Sequence, residues 1–274
     1  MEKHDLQHEF PEYREKILAL QKQSNRFRKL SEDYQEVDTH IHQIEEGAEA
    51  TTDEHLNALW YLLRNGCAWR ALPSEFGPWP AIHQFFNRLS KDGYFEFLED
   101  QLLSGHTAEA VFMDSTHCKV HQHSNGPGSP EDQAIGKSRG GLNTKIHLLV
   151  DVLGRLAAPI IVTPGNVSDI TVAPVLLEDV ENTAVVGDKG YDSRELRDTL
   201  RGQDCEPCIP ARSNVKNPEP YDAAIYRARH AVENVFQRMK VFRRLATRFE
   251  KTKRMFFAFI CCVLAAIYTA DKLW

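Results

Sequence analysis

Apolar positions in the first fifty residues recur at helical spacing. Ile17, Leu20, Phe27, Tyr34, Val37, Ile41 and Ile44 fall three, four or seven apart, which makes one stripe on a helix. Pro11 suits a first turn and Gly47 a stop, so the spacing predicts a helix over 11–46. Residues 54–104 form a second helical block, with helices at 56–63, 82–89 and 94–103. Between them Trp69, Leu72, Pro73, Phe76, Pro78 and Trp79 mark a compact, turn-rich segment. From residue 109 the pattern changes. Runs rich in Val, Ile and Leu at 110–114, 145–151, 156–162 and 184–187 read as strands, with a shorter one at 206–209. Helical segments at 168–178 and 193–200 lie among them, and helices over 225–244 and 254–268 follow. Residues 121–140, rich in Gly, Ser, Pro and charge, read as a loop. Strands and helices on a shared core predict an α/β or α+β catalytic domain behind a helical N-terminal region.

Composition narrows the class. A chain of 274 residues with 42% apolar and 26% charged residues is a globular protein of one or two domains. The formal net charge of −6 averages over unlike parts. Residues 1–58 hold 7 Lys/Arg against 14 Asp/Glu, whereas residues 227–254 hold 10 against 2. A basic stripe on one element points to a polyanion better than overall charge does. The apolar run 255–269 is 15 residues long, short of the roughly 20 that a membrane span needs, and reads as a buried core helix. The acidic, polar first residues carry no secretory signal, so a reducing cytoplasm is the expected compartment. Cys205-x2-Cys208 lacks a second ligand pair at zinc-site spacing, and the six cysteines read as structural.

Three carboxylates stand apart from this background. Asp114 follows the apolar run Val111-Phe112-Met113, and Asp188 follows Val185-Val186-Gly187. An Asp after a strand is often a cap or turn former, but two of them can meet at one sheet edge. Paired Mg2+ ions about 4 Å apart would there serve the attacking and leaving oxygens of an in-line displacement. Glu233 lies on the basic segment with Tyr226, Arg229 and Lys240, at intervals of 3, 4 and 7 that define one helix face. A solvated helix with an Arg229–Glu233 pair is the plain alternative. Gly136-Lys-Ser would need a further Gly where Glu131 stands to form a P-loop, so no nucleotide cofactor is expected. Its Lys137 and Arg139 suit a DNA backbone contact, and a simple connecting loop is the alternative. His117, His121 and His123 read as substrate contacts or polar surface. Asp151, Asp169 and Asp192 read as caps or turns.

The motif Tyr226-x2-Arg229-x3-Glu233-x6-Lys240 resembles the signature of the DDE transposases of bacterial insertion sequences, in the family four/five superfamily. Asp114-Ser-Thr resembles the first-aspartate motif and Gly187-Asp188-Lys-Gly-Tyr191 the second. His121-x-His123, Gly136-Lys-Ser-Arg-Gly-Gly141, Asn143-Thr-Lys145-Ile-His147 and Thr163-Pro-Gly-Asn166 are also similar. The resemblance runs from about residue 58 onward. It implies a ribonuclease-H-like fold in which Asp114, Asp188 and Glu233 are catalytic and hold Mg2+ or Mn2+. It also implies DNA contacts by Tyr226, Arg229 and Lys240, to which the basic Lys137, Arg139, Arg238, Arg243 and Arg244 are added. The partners implied are double-stranded DNA, at element ends and target, and a second copy of the chain on that DNA.

The likeness stops short of the first residues. Residues 1–55 resemble a short bacterial helical-hairpin protein, so the expected organisation is a foreign acidic segment at 1–55, a truncated helical domain at 56–108 and the catalytic domain at 109–274. The alternatives to an active transposase are a nuclease of the same fold and an inactive DNA-binding or assembly protein derived from one.

Overall fold

The computed structural model describes residues 52–103, 108–124 and 130–270, with scattered positions between Tyr13 and Ser31. Its contacts divide the chain into Met1–Ala58 and Leu59–Trp274. In the first unit Arg14, Lys16, Ile17, Leu20, Phe27, Arg28 and Ser31 are helical, and the rest of the helix expected over 11–46 lies outside the described residues.

Helix α1 (Thr52–Asn65) carries Asp53 and Glu54 in its first turn and Arg64 in its last, each sign favoured by the helix dipole at its end. Gly66 follows at φ +65°, where a Cβ would lie 2.8 Å from that of Arg243, so both the turn and the close approach require glycine. Helices α2 (Trp79–Lys91) and α3 (Tyr94–Leu102) come next. Phe86 of α2 meets Phe95 of α3 at 5.1 Å between ring centroids.

The second unit is built on one mixed sheet. Its strands are β1 (Ala110–Val120), β2 (Gly136–Ser138), β3 (Gly141–Asp151), β4 (Ile161–Pro164), β5 (Ala184–Val186), β6 (Glu206–Cys208) and β7 (Thr247–Arg248). Short helix α4 (Pro130–Gln133) precedes β2, and α5 (Asp169–Leu176) and α6 (Arg194–Gly202) lie between later strands. Strand β3 runs antiparallel to β1, β2 and β4, whereas β5 is parallel to both β1 and β6. An antiparallel set flanked by two parallel strands is the ribonuclease-H-like arrangement that the resemblance implies. Val111 and Met113 of β1, Leu149 of β3 and Val185 of β5 turn one way, into a core with Ala173 and Leu176 of α5 and Leu196 and Leu200 of α6. The alternate residues Phe112, Leu148 and Val150 are equally buried and face the other way.

Beyond β6 the chain forms α7 (Ala223–Arg227), α8 (His230–Lys240), α9 (Arg243–Ala246) and α10 (Lys253–Ala270). Helix α8 packs on β1 and β3. The single helix expected over 225–244 is thus three. Asp222 caps the first through its side chain, and Ala228 and Arg229 turn between it and the second. Helix α10 is the buried core helix expected from its apolar run, with Phe256, Phe259, Ile260, Val263 and Leu264 wholly covered. No described helix is long and apolar enough to cross a membrane. Two strands also differ from expectation. The strand expected over 110–114 continues to Val120 through Ser115, Thr116 and Lys119, because antiparallel pairing to β3 persists as far as Asn143. The strand expected over 156–162 shortens to β4, after isolated bridges at Leu156.

A buried cation ties β7 to the sheet. Arg248 is fully covered and donates to Thr144 Oγ1 at 2.6 Å, the Gln133 carbonyl at 2.5 Å and the Glu250 carbonyl at 3.0 Å. Burial lowers its pKa to about 10, against the opposing field of Glu250. Arg248→Met keeps the bulk but strips acceptors of their donor, and should cost about 3–5 kcal/mol in chemical denaturation. His147 of β3 gives a second, pH-dependent expectation. Its Nε2 meets Thr163 Oγ1 at 2.8 Å. Burial pushes its pKa from 6.5 down to about 4; Asp169 opposes the shift, and Lys145 and His117 add to it. Between those values the folded chain binds fewer protons at His147 than the unfolded chain, so stability rises with pH and is lost on acidification. His147→Gln should flatten that dependence by up to about 1.4 kcal/mol per pH unit, read from denaturation midpoints across the window.

Candidate active site

Strand register brings two aspartates level. Ala110, Val111 and Phe112 pair in parallel with Ala184, Val185 and Val186. Asp114 and Asp188 each lie two residues past the last pair, Asp114 within β1 and Asp188 just beyond the end of β5, and the paired strands run about 4.8 Å apart. Alternation turns Asp114 away from Met113 and toward the face on which α8 packs. Asp114 therefore ends the apolar run but sits inside β1. Asp188 lies at a true strand exit. Its side chain accepts from the Gly190 amide at 2.7 Å and caps the following turn. A Cβ on Gly187 would lie 2.6 Å from Met113 Cε, so a larger residue there would make the Met113 side chain shift.

The α7–α8 segment delivers the third carboxylate and a cation. Arg229 donates to Asp114 Oδ2 at 3.0 Å and to Glu233 Oε1 at 2.5 Å. One guanidinium thus touches carboxylates from β1 and α8. Burial raises the pKa of Asp114; the Ser115 amide and Arg229 pull it back, and Asp188 and Glu233 raise it further. Burial works against the charge of Arg229, but the fields of Asp114, Glu233, Tyr226 and Asp188 prevail and raise its pKa. Mutual repulsion among three acids is relieved by one arginine. As the side chains stand, no group of three or more His, Cys, Asp or Glu among the described residues is arranged to hold a metal ion. The donor set is nevertheless of the hard, all-oxygen kind that suits Mg2+ or Mn2+.

The other expected residues divide by burial. The Tyr226 ring lies 6.0 Å from the Arg229 guanidinium and edge-on to Tyr221 at 5.3 Å. Lys240 is exposed at the end of α8, two turns or about 10 Å from Glu233. Lys137 and Arg139 are exposed on the β2–β3 hairpin, and Arg243 is exposed on α9. Arg238 is half-buried and donates to the Ile267 carbonyl of α10 at 3.0 Å. Arg244 must be taken out of the DNA-contacting set. It is 1% exposed, ion-paired to buried Glu250 at 2.6 Å and set over the rings of Trp69, Phe249 and Phe259. The histidines do not form one cluster: His117 meets Asn143 at 3.0 Å, while His121 stacks on Phe249. All six cysteines are free. Asp151 and Asp192 hold turns, through Arg155 and through Arg197 with the Arg212 amide.

One residue read as a cap or turn has partners beside the site. Asp169 lies at the start of α5 but accepts from Ser115 Oγ at 2.8 Å and from Lys145 Nζ at 2.7 Å. The signal was available: Ser115, Lys145 and His147 alternate onto the β1 and β3 face opposite Asp114, and a polar trio on a buried face demands a partner.

Known proteins resemble the chain in sequence. Residues 105–268 match the family model described as "Transposase DDE domain", and residues 32–98 match that described as "Putative transposase of IS4/5 family". The second match begins inside the acidic helical segment. The chain is 33% identical over 132 residues to a Brucella ovis protein, "Putative transposase for insertion sequence element IS6501", covering 46% of the chain and 98% of the relative. It is 28% identical over 152 residues to a Burkholderia cepacia protein, "Putative transposase for insertion sequence element IS402", covering 50% of the chain and 69% of that relative. Among solved structures it is similar to the piggyBac transposase synaptic complex with hairpin DNA, at a TM-score of 0.45 and 10% identity over 66% of the chain, and spans about half of that chain's length, 51%. With the family model spanning most of the sheet and the helices around it, the chain belongs to the DDE-domain transposases of insertion sequences.

Proposed function

We propose that this chain cuts DNA at the ends of an insertion sequence and joins the freed ends to target DNA, with Asp114, Asp188 and Glu233 as its catalytic carboxylates. The observation that carries this is the Arg229 fork held between Asp114 and Glu233, beside the Asp188 turn. These three side chains would hold a divalent cation, Mg2+ or Mn2+. Such a cation supplies activation of water and charge stabilisation at the attacking and leaving oxygens.

The protein's own groups account for the rest. Arg229 neutralises acids in the free chain and exchanges them for a DNA phosphate when substrate arrives, since a guanidinium suits both partners. Exposed Lys240 on α8 and exposed Lys137 and Arg139 on the hairpin extend that grip along the backbone. The Tyr226 ring, half-buried against Arg229, stacks on a base near the cut. No protein nucleophile is needed: water attacks first, and the 3′-hydroxyl it frees attacks the target. Two ends held together call for two copies of the chain on DNA, and we assign the reaction to the cytoplasm. The net charge over residues 1–58, with 7 Lys/Arg against 14 Asp/Glu, repels phosphate. We assign the acidic residues before 32, where the match to the IS4/5 transposase family begins, to a segment of separate origin that does not take DNA ends.

Asp114→Asn, Asp188→Asn and Glu233→Gln should each lower cleavage of an end-containing duplex by at least about 10²–10³-fold while folding survives, as circular dichroism would show. Cleavage without a joined product would make the chain a nuclease, and unchanged activity in all three variants would refute the carboxylate assignment. Lys240→Ala and Arg139→Ala should weaken DNA binding evenly across sequences. Each should reduce the slope of log affinity against log salt by about 0.9, measured by fluorescence anisotropy. Arg244→Ala should instead unfold the protein at lower denaturant with no specific change in that slope.

A further inference from the structure

Asp114 stands on one face of β1, and the next residue reaches through to the other. The Ser115 amide donates to Asp114 Oδ1 at 2.7 Å, and the Ser115 hydroxyl donates to Asp169 Oδ1 at 2.8 Å. Lys145 is 7% exposed and holds Asp169 from the side at 2.7 Å, while also donating to the Val167 carbonyl at 2.8 Å. Asp169 is thereby fixed at the start of α5 by a buried cation and in turn fixes Ser115. With Oδ1 occupied by the Ser115 amide, Asp114 presents Oδ2 to the α8 side, where Arg229 meets it. The two faces share one electrostatic neighbourhood. The Tyr191 hydroxyl is buried with no hydrogen-bond partner among the described residues. Its pKa is raised by burial and then by Asp169, Asp114 and Asp188 together.

We propose that Asp169, locked by Lys145, is a positioning residue of the catalytic site: through Ser115 it sets which oxygen Asp114 turns toward the bound cation. This rests on the carboxylate site proposed above. A capping or purely structural aspartate would contribute stability alone. A positioning aspartate also sets affinity for the cation, as outer partners of ligating carboxylates do.

The test is Mn2+ binding to the full chain without DNA, read by electron paramagnetic resonance, alongside denaturant unfolding of each variant. Ser115→Ala and Asp169→Ala should each weaken Mn2+ binding by about tenfold or more. The double variant should be no weaker than Asp169→Ala, because both act along one path. Asp169→Asn, which keeps the acceptor oxygen, should retain most of the affinity. Leu200→Ala, in the apolar core on α6 and with no polar atom to offer the cluster, should lose stability but not affinity. Undiminished Mn2+ affinity in Asp169→Ala, or an equal loss in Leu200→Ala, would overturn the proposal. Asp114→Ala separates the two levels. Should it lose Mn2+ while Ser115→Ala and Asp169→Ala keep it, positioning alone falls. Should it bind as the parent does, the carboxylate site falls, and the positioning role with it.

Discussion

The parallel register of β1 against β5 is the constraint on which the site depends. Each strand alternates, so a slip of one residue would turn either aspartate to the opposite face. Several features hold the register. Val111 and Val185 are locked into the same core as Leu176 and Leu200, and β6 continues the parallel pairing beyond β5. Gly187 then allows the exit turn to lie close to the Met113 side chain. The apolar halves of the strands therefore do more than bury surface. They are the ruler that sets Asp114 and Asp188 level.

Acids brought together by such a ruler repel, and the fold answers with arginine. The cost is visible in Asp114, whose proton is held more tightly by burial and by its two acidic neighbours. Arg229 answers on the α8 side, and Lys145 answers for Asp169 on the other. Arginines elsewhere in the same basic stretch serve the core instead. Arg244 and Arg248 sit wholly inside, each with a full set of acceptors or aromatic faces. A guanidinium left unpaired at that depth would be severely destabilising. Burial thus decides whether an arginine of this segment is free to meet phosphate or is committed to the protein.

Much of this was legible in the chain. The apolar runs located most of the strands, and the spacing of Tyr226, Arg229 and Glu233 anticipated their shared face. That column survives the break at Ala228 because the break falls between turns and Arg229 still leads into α8. The polar half of β1 was not legible. Ser115, Thr116 and Lys119 carry no apolar alternation to mark a strand, and pairing with β3, and with β7 at Lys119, keeps them extended. Nor was the fate of Arg244, since residue type and charge density are the same for a buried and an exposed arginine. Glu250, its partner, comes six positions later, outside helical spacing.

The polar half of β1 acquires a reason from the site. A strand that stayed apolar past Met113 would bury both faces well and still offer Asp114 a backbone amide, but it would leave Asp169 without the hydroxyl it accepts from. A serine next in line serves two faces at once: its amide belongs to the Asp114 side and its hydroxyl to the Asp169 side. Lys145, two residues along β3 from the Ser115 partner His147, supplies the charge that holds Asp169 in place. The departure from a continuous apolar strand is therefore where sheet packing yields to placement of a carboxylate. Extra hydrogen bonds across the sheet replace the hydrophobic burial forgone there.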